Sequence, residues 1–314
     1  MAVDIARLRT MAEMTDTVQG ISERFVEVPL RSGSTVGVLS VPAASPAQRG
    51  WVVSHSYGPE QANTSALDAA VARRLASQGA LVLRFHCQGY GDSERDDFRP
   101  SVESHIQDTI DATQVLRTLT GLSSVGLVGV NFGATCALLA APEAAADRLA
   151  LISPAVQGSR FLHKFVRTRS IVEISEKAWS PDAPNPWSVL KAGGTVNIRG
   201  FVLGADEFRS FEGVDLITAP AFSGSVLVVQ ISAGTDPRRD LSALVDHLES
   251  EGASVSRATI TDPFAALLGE RPFRRDGSER LADVHPELRE KIADLVAAWG
   301  TESSPLDRLT EERT

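Results

Sequence analysis

Cysteine is nearly absent from this 314-residue chain: only Cys87 and Cys136 occur, both inside apolar segments. A buried unpaired thiol is the ordinary outcome there, so no disulfide is expected. Lysine is scarce too, supplying only 4 of the 31 basic residues, and 40 acidic residues set the net charge at -9. Without clustered Lys and Arg, an extended nucleic-acid surface is disfavoured. A net negative chain can still hold a positive pocket, so small anionic substrates stay open. No apolar run reaches membrane-spanning length, and the N-terminal MAVDIARLRT lacks a signal-peptide core. A cytoplasmic protein is the expectation, and the sequon at Asn63–Ser65 then reads as fortuitous. There is no HExxH, no helical i,i+4 histidine pair and no close pair of cysteines, so no metal is expected. Gly193-Gly194 lacks the strand and the glycine spacing of a phosphate loop, so no nucleotide cofactor is expected either.

What is present is the ordinary mixture of a globule, with 43% hydrophobic and 23% charged residues. The length suffices for one large domain or two modest ones. Residues 24 to 31 and 35 to 42 alternate around Ser32-Gly33, a hairpin signal. Apolar runs at 51–54, 80–85, 125–130 and 149–153 read as strands, and helical spacing follows at Leu67, Val71 and Leu75 and over 102–119. Strands buried on both faces must be almost continuously apolar, so this rhythm implies an α/β architecture with a mostly parallel sheet and helices on both faces. Reactive groups then belong beyond the C-terminal strand ends, at His55, His86, Asn131 and Ser153.

Between about 154 and 224 the rhythm breaks, and the segment reads as an inserted cap with TVNIRGFVL as a strand candidate. It resumes with a strand at 226–232, a helix at 241–248, a strand at 254–260 and a last helix carrying Leu288, Ile292, Leu295 and Trp299. The expected division is a core over 20–153 and 225–299, a cap over 154–224 and a flexible tail from 300 to 314.

Residues 129–133, GVNFG, have the form of a nucleophile elbow between strand and helix. The position that needs Ser, Cys or Asp carries Asn131, whose amide nitrogen has no nucleophilic lone pair. This motif, together with VVSHSYG at 52–58, VLRFHCQGYGDSE at 82–94, VGLVGVNFGATCALLAA at 125–141 and ISAGTDP at 231–237, resembles the α/β-hydrolase superfamily. The likeness is closer to serine aminopeptidase-like hydrolases, and closest to the hydrolase-like proteins associated with exosortase systems, whose pattern NIRGFVLGADEF at 197–208 also resembles. It spans roughly residues 20 to 299. The resemblance implies an α/β-hydrolase fold in which the nucleophile position falls on Asn131 and the acid on Asp236. The histidine position falls near Asp262, where no histidine stands, and the oxyanion segment on His55 to Gly58, with Ser56 and Tyr57 in place of smaller residues. Two of the three triad members are thus replaced, and ordinary serine hydrolysis is not expected.

Each candidate has a plainer alternative. Asn131 either faces a ligand or satisfies its turn; Phe132 offers a backbone N–H or an aromatic wall; Tyr57 offers a backbone donor. His86 is a general base or a loop imidazole, and His55 shapes its loop or borders the substrate. Cys87 reads as an inert buried thiol rather than a nucleophile, and Asp92 as a loop brace. Asp236 and Asp262 either share the pocket floor, which would raise one pKa, or are satisfied separately. Phe161, Phe165, Trp179 and Trp187 either form a lid over an acyl chain or pack the cap.

The expected catalytic set is Asn131, His86, Asp236 and Asp262, with His55, Tyr57, Phe132, Cys87 and Trp187 toward a small, partly apolar organic or acyl substrate. The chemistry expected is of lyase, cyclase, isomerase or acyl-transfer type. The rivals are a non-catalytic metabolite-binding or partner-stabilising protein, and a hydrolase with an unusual nucleophile or activated water. A homodimer or a partner enzyme stays open.

Overall fold

Valine-rich runs without polar alternation become the centre of one sheet. The structure, a computed structural model, describes residues 9–43, 46–95, 98–175 (168–175 as backbone), 184–198, 200–262 and 285–301. Its strands are β1 (Thr10–Asp16), β2 (Ile21–Leu30), β3 (Gly33–Pro42), β4 (Gly50–Ser54), β5 (Leu81–Phe85), β6 (Val125–Val130), β7 (Arg148–Ile152), β8 (Val196–Ile198), β9 (Phe201–Leu203), β10 (Ser225–Ser232) and β11 (Ser254–Thr261). The helices are α1 (Glu60–Ser77), α2 (Val102–Thr120), α3 (Phe132–Ala140), α4 (Gly158–Ser175), α5 (Pro186–Lys191), α6 (Ala205–Glu212), α7 (Arg239–Ser250) and α8 (Pro286–Thr301).

The large sheet has the order β1-β2-β3-β5-β4-β6-β7-β10-β11. Strands β1, β2, β3 and β5 pair antiparallel, and the run from β5 to β11 is parallel. Every residue of β4, β6 and β7 is buried, which is why these strands are apolar but for Ser54 at the end of β4 and Arg148 at the start of β7. The hairpin of β2 and β3 is as the alternation implies. Strand β1 is not foreshadowed, because TMAEMTD is almost wholly exposed on the sheet edge and carries no core-facing period. The TVNIRGFVL candidate is two short strands, β8 and β9, paired apart from the main sheet.

One face of the sheet buries Leu67, Val71 and Leu75 of α1 against Ile292, Val296 and Trp299 of α8, around Trp51. The other face packs α2, α3 and α7 through Leu116, Leu138 and Leu244. Strand order reverses around β4: β5 lies on one side of it and β6 on the other. Crevices form beyond the carboxyl ends of strands at such a reversal, which directs attention to His55 after β4 and Asn131 after β6.

Packing at the centre is tight enough to test. A Cβ on Gly126 of β6 would stand 2.7 Å from the ring of Trp51. Gly126→Ala should therefore lower stability by about 1–3 kcal/mol, visible as a lower melting temperature with the far-ultraviolet spectrum retained.

Candidate functional site

Two glycines allow the β6–α3 corner to close. A Cβ on Gly129 would lie 2.4 Å from the Gly133 carbonyl carbon, and one on Gly133 only 2.2 Å from the Ser54 oxygen. Between them Asn131 takes φ 50° and ψ -116°, a conformation that costs a non-glycine residue about 1–3 kcal/mol. The backbone holds it there: Asn131 N–H donates to Ile152 O at 2.9 Å, and Asn131 O accepts from the N–H groups of Thr135 and Ala155. The side chain makes no cap bond to α3, and its buried Nδ2 has no acceptor. Phe132, Gly133 and Ala134 open the helix, so their N–H groups have no intrahelical acceptor.

Asn131 borders a cavity of about 270 Å³ lined by both charged and apolar groups. Glu60, Ser153, Arg160, Lys164, Arg238 and Asp240 contribute polar groups, and Phe161 and Ile231 contribute apolar wall. Glu60 is buried in the first turn of α1, where Ser56 Oγ donates to its carboxylate at 2.7 Å. Arg238 grips Asp240 in a two-pronged pair, Nε–Oδ1 3.1 Å and Nη2–Oδ2 2.6 Å, and reaches Ser153 Oγ at 3.3 Å. Burial opposes ionisation of Asp240, but the Arg238 guanidinium holds its carboxyl below the usual range. Ser153, at the end of β7, also has a positive φ of 48°. Arg160 and Lys164 stand exposed on α4. The site can hold an oxygen-rich small molecule against an amide, helix N–H groups and a carboxylate.

No protein-family model matches the sequence, and no curated protein does. Solved structures do resemble it. Est1E from Butyrivibrio proteoclasticus, solved with ferulic acid bound, aligns with a TM-score of 0.59 at 14% identity over 87% of this chain and 98% of its own. An esterase from Pyrococcus furiosus gives 0.56 at 13% identity over 95% and 98%. The dienelactone hydrolase of Anabaena variabilis gives 0.50 at 15% identity over 89% and 97%. The chain has the α/β-hydrolase fold.

On this α/β-hydrolase fold, Asn131 sits at the elbow, and the other expected residues scatter. His86 does not border the elbow cavity; it lines a second one, separated from the first by the start of α1. Asp236 is exposed in the turn after β10, where its carbonyl accepts from Gln230 Nε2 at 2.7 Å. Asp262 ends β11 half-buried, its N–H on Ser232 O at 2.9 Å. Neither aspartate borders the elbow cavity. No histidine occurs in the stretch from 263 to 284, and those residues, with Trp179, lie outside the described ones. Trp187 stacks on His163 at 3.6 Å between centroids, away from the elbow cavity.

The remaining expected residues are packed. Tyr57 is buried, donates its hydroxyl to Pro100 O at 2.5 Å, and meets Phe211 edge-on at 4.8 Å. Phe132 is wholly buried against Phe161 and Phe211, at 4.5 and 4.8 Å, so its ring is core and only its backbone is available. Burial pushes the Cys87 thiol far above its usual pKa, which suppresses the thiolate that a nucleophile needs.

His55, Cys87 and His105 each bring one ligating atom within 4.8 Å of the others. Three of the four imidazole nitrogens are engaged in hydrogen bonds, and the fourth, His105 Nδ1, is buried without a partner. His55 Nδ1 pairs with Ser56 O at 2.8 Å, and its Nε2 lone pair accepts the Cys87 N–H at 3.0 Å. His105 Nε2 is engaged by His55 O at 2.8 Å. Burial, with His105 second, keeps His55 well below its ordinary pKa, and burial brings His105 down to about 4. This is a neutral, packed loop anchor.

Sequence reasoning named Ser153 as a strand end but missed Glu60, Arg160, Lys164, Arg238 and Asp240. The available signals were weak: Pro59-Glu60 opening a helix directly after HSYG, and Arg238-x-Asp240 at the start of α7.

Two measurements follow from these environments. Asn131→Gly removes both a strained φ and an orphaned amide, so the variant should be more stable than the parent by about 1–2 kcal/mol, seen as a higher denaturation midpoint. Asp68 of α1 is raised by burial from 3.8 to about 7. The folded carboxyl then keeps a proton that an unfolded Asp loses near 4, so its contribution is full below that pH and is lost as pH rises through about 7. Asp68→Asn should flatten the fall in stability between pH 4 and 7 and raise the midpoint at pH 8, the full effect being about 4 kcal/mol.

Proposed function

We propose that the protein is an enzyme for a small organic substrate bearing a carbonyl and an acidic group, acting by proton transfer without an acyl-enzyme. The observation that carries this reading is Asn131, an amide in the place of a nucleophile, strained and with an orphaned donor beside a charged cavity. Retaining an unsatisfied buried donor costs about 1–3 kcal/mol, a cost that a substrate oxygen removes. The first N–H groups of α3 and the Asn131 amide polarise the carbonyl. The Glu60 carboxylate takes the proton from the adjacent carbon, and the C–H electron pair moves into an enolate whose oxygen those donors hold. Return of the proton to the γ-carbon of a conjugated enolate gives an isomer; collapse of the enolate pair into a C=C bond, with a β-substituent departing on its own bonding pair, gives an elimination. Arg160 and Lys164 receive the acidic group at the rim. Ferulic acid on Est1E shows an organic acid bound to a protein of this fold.

A fluorophosphonate probe and a solvent-exchange assay test the reading together. The parent protein and Asn131→Ser should both resist fluorophosphonate labelling, since no histidine among the described residues lines the elbow cavity to activate a serine there. In D₂O, a panel of small 2-oxo and 3-oxo acids should include one whose α-protons exchange. Glu60→Gln should slow that exchange by about 10²-fold or more while binding of the acid persists. Stoichiometric labelling of the parent, or exchange indifferent to both Asn131 and Glu60, overturns the proposal. Binding without any exchange in the parent would identify a metabolite-binding protein instead.

A further inference from the structure

The second cavity lies between α1, the β2–β3 hairpin and the end of β5, and encloses about 180 Å³. That is below the roughly 300–1,000 Å³ of drug-sized pockets, so its occupant has few atoms. One wall is apolar, made by Phe25, Val36, Val38 and Phe85, and the other carries Gln61, Arg84 and His86.

The polar wall carries a buried donor without a partner. Arg84 Nη2 is committed to Glu23 at 3.1 Å, but its Nε–H is buried and has no partner. His86 Nδ1 accepts the Asp92 N–H at 3.4 Å, which leaves the ring proton on Nε2. Burial, opposed by Asp92, lowers the His86 pKa, and the ring presents an N–H at Nε2 in either protonation state. The Gln61 amide adds two more N–H groups. Two carboxyls also line the cavity. Asp92 is exposed at the rim, and Asp68 is the buried acid that holds its proton up to about pH 7, so it too can donate.

We propose that this cavity is a second binding site, distinct from the elbow, for a small monocarboxylic acid with a short apolar or aromatic tail. The carboxylate lies against Arg84, His86 and Gln61, and the tail lies on Phe25, Val36 and Val38. An anionic oxygen supplies the acceptor that the Arg84 Nε–H lacks, in a charge-assisted bond. A cationic ligand would leave that donor unsatisfied.

Calorimetric titration at pH 6 with sodium benzoate tests the site, with benzylamine as the cationic counterpart. Benzoate should bind the parent, and benzylamine should not. Arg84→Gln should weaken benzoate by at least about tenfold. Because Arg84 also holds Glu23, a second variant is needed: Ser65→Trp changes an exposed residue on the cavity lining and should block entry without disturbing the fold. Asn131→Gly, in the other cavity, should retain this binding. Absence of benzoate binding, its persistence in both Arg84→Gln and Ser65→Trp, its loss in Asn131→Gly alone, or equal binding of benzylamine each overturns the proposal.

Discussion

Backbone passes backbone at the β6–α3 corner with no room for a Cβ on either flanking residue. Gly133 lies against the Ser54 carbonyl at the end of β4, and Gly129 against Gly133 itself. This close approach forces the residue between them into positive φ and presents its side chain where β4 and β6 end. The corner is therefore a device for display, whatever residue it displays. Here it displays an amide, and a strained backbone is maintained at the protein's expense for a group that cannot attack a carbonyl. Strain of this kind persists where surrounding structure over-determines it, and it concentrates at functional sites.

The sheet and the corner were legible in the sequence because their signals are local. GVNFG has two glycines at fixed spacing, and VGLVGV and GWVV are continuously apolar because both faces of those strands are covered. The cavity was not legible, since Glu60, Ser153, Arg160 and Arg238 belong to four separate elements and meet only through topology. His86 shows the limit from the other side. It follows β5, which pairs with β4, yet the first turn of α1 divides the space there. Glu60 borders one cavity and its neighbour Gln61 the other. A one-residue step on a helix turns a side chain by about 100°, and apolar periodicity does not say which of two polar neighbours faces which cavity.

The aromatic residues between β7 and β10 were ambiguous for a different reason. A lid over an empty apolar pocket and a packed interface have the same composition and the same spacing. The structure favours packing at the positions it describes. Phe132, Phe161, Phe211 and Tyr57 fill one another's space at centroid distances between 4.5 and 6.0 Å, and Phe165 closes the cluster. Phe161 also lines the elbow cavity, so this packed cluster supplies part of that cavity's apolar wall.

That packing also shapes the electrostatics of what remains. Low-dielectric walls strengthen interactions between charges and dipoles in the adjoining polar space relative to water. Arg238 is neutralised by Asp240, and the other charged groups lining the cavity are the buried Glu60 and the exposed Arg160 and Lys164. A carboxylate lies deep and two cations lie at the rim. A substrate with its acidic group outward and its reacting carbon inward matches that gradient, while the reverse orientation would set like charges together at the buried end. On the proposed reading, the aromatic cluster lowers the screening around the groups that would orient a substrate.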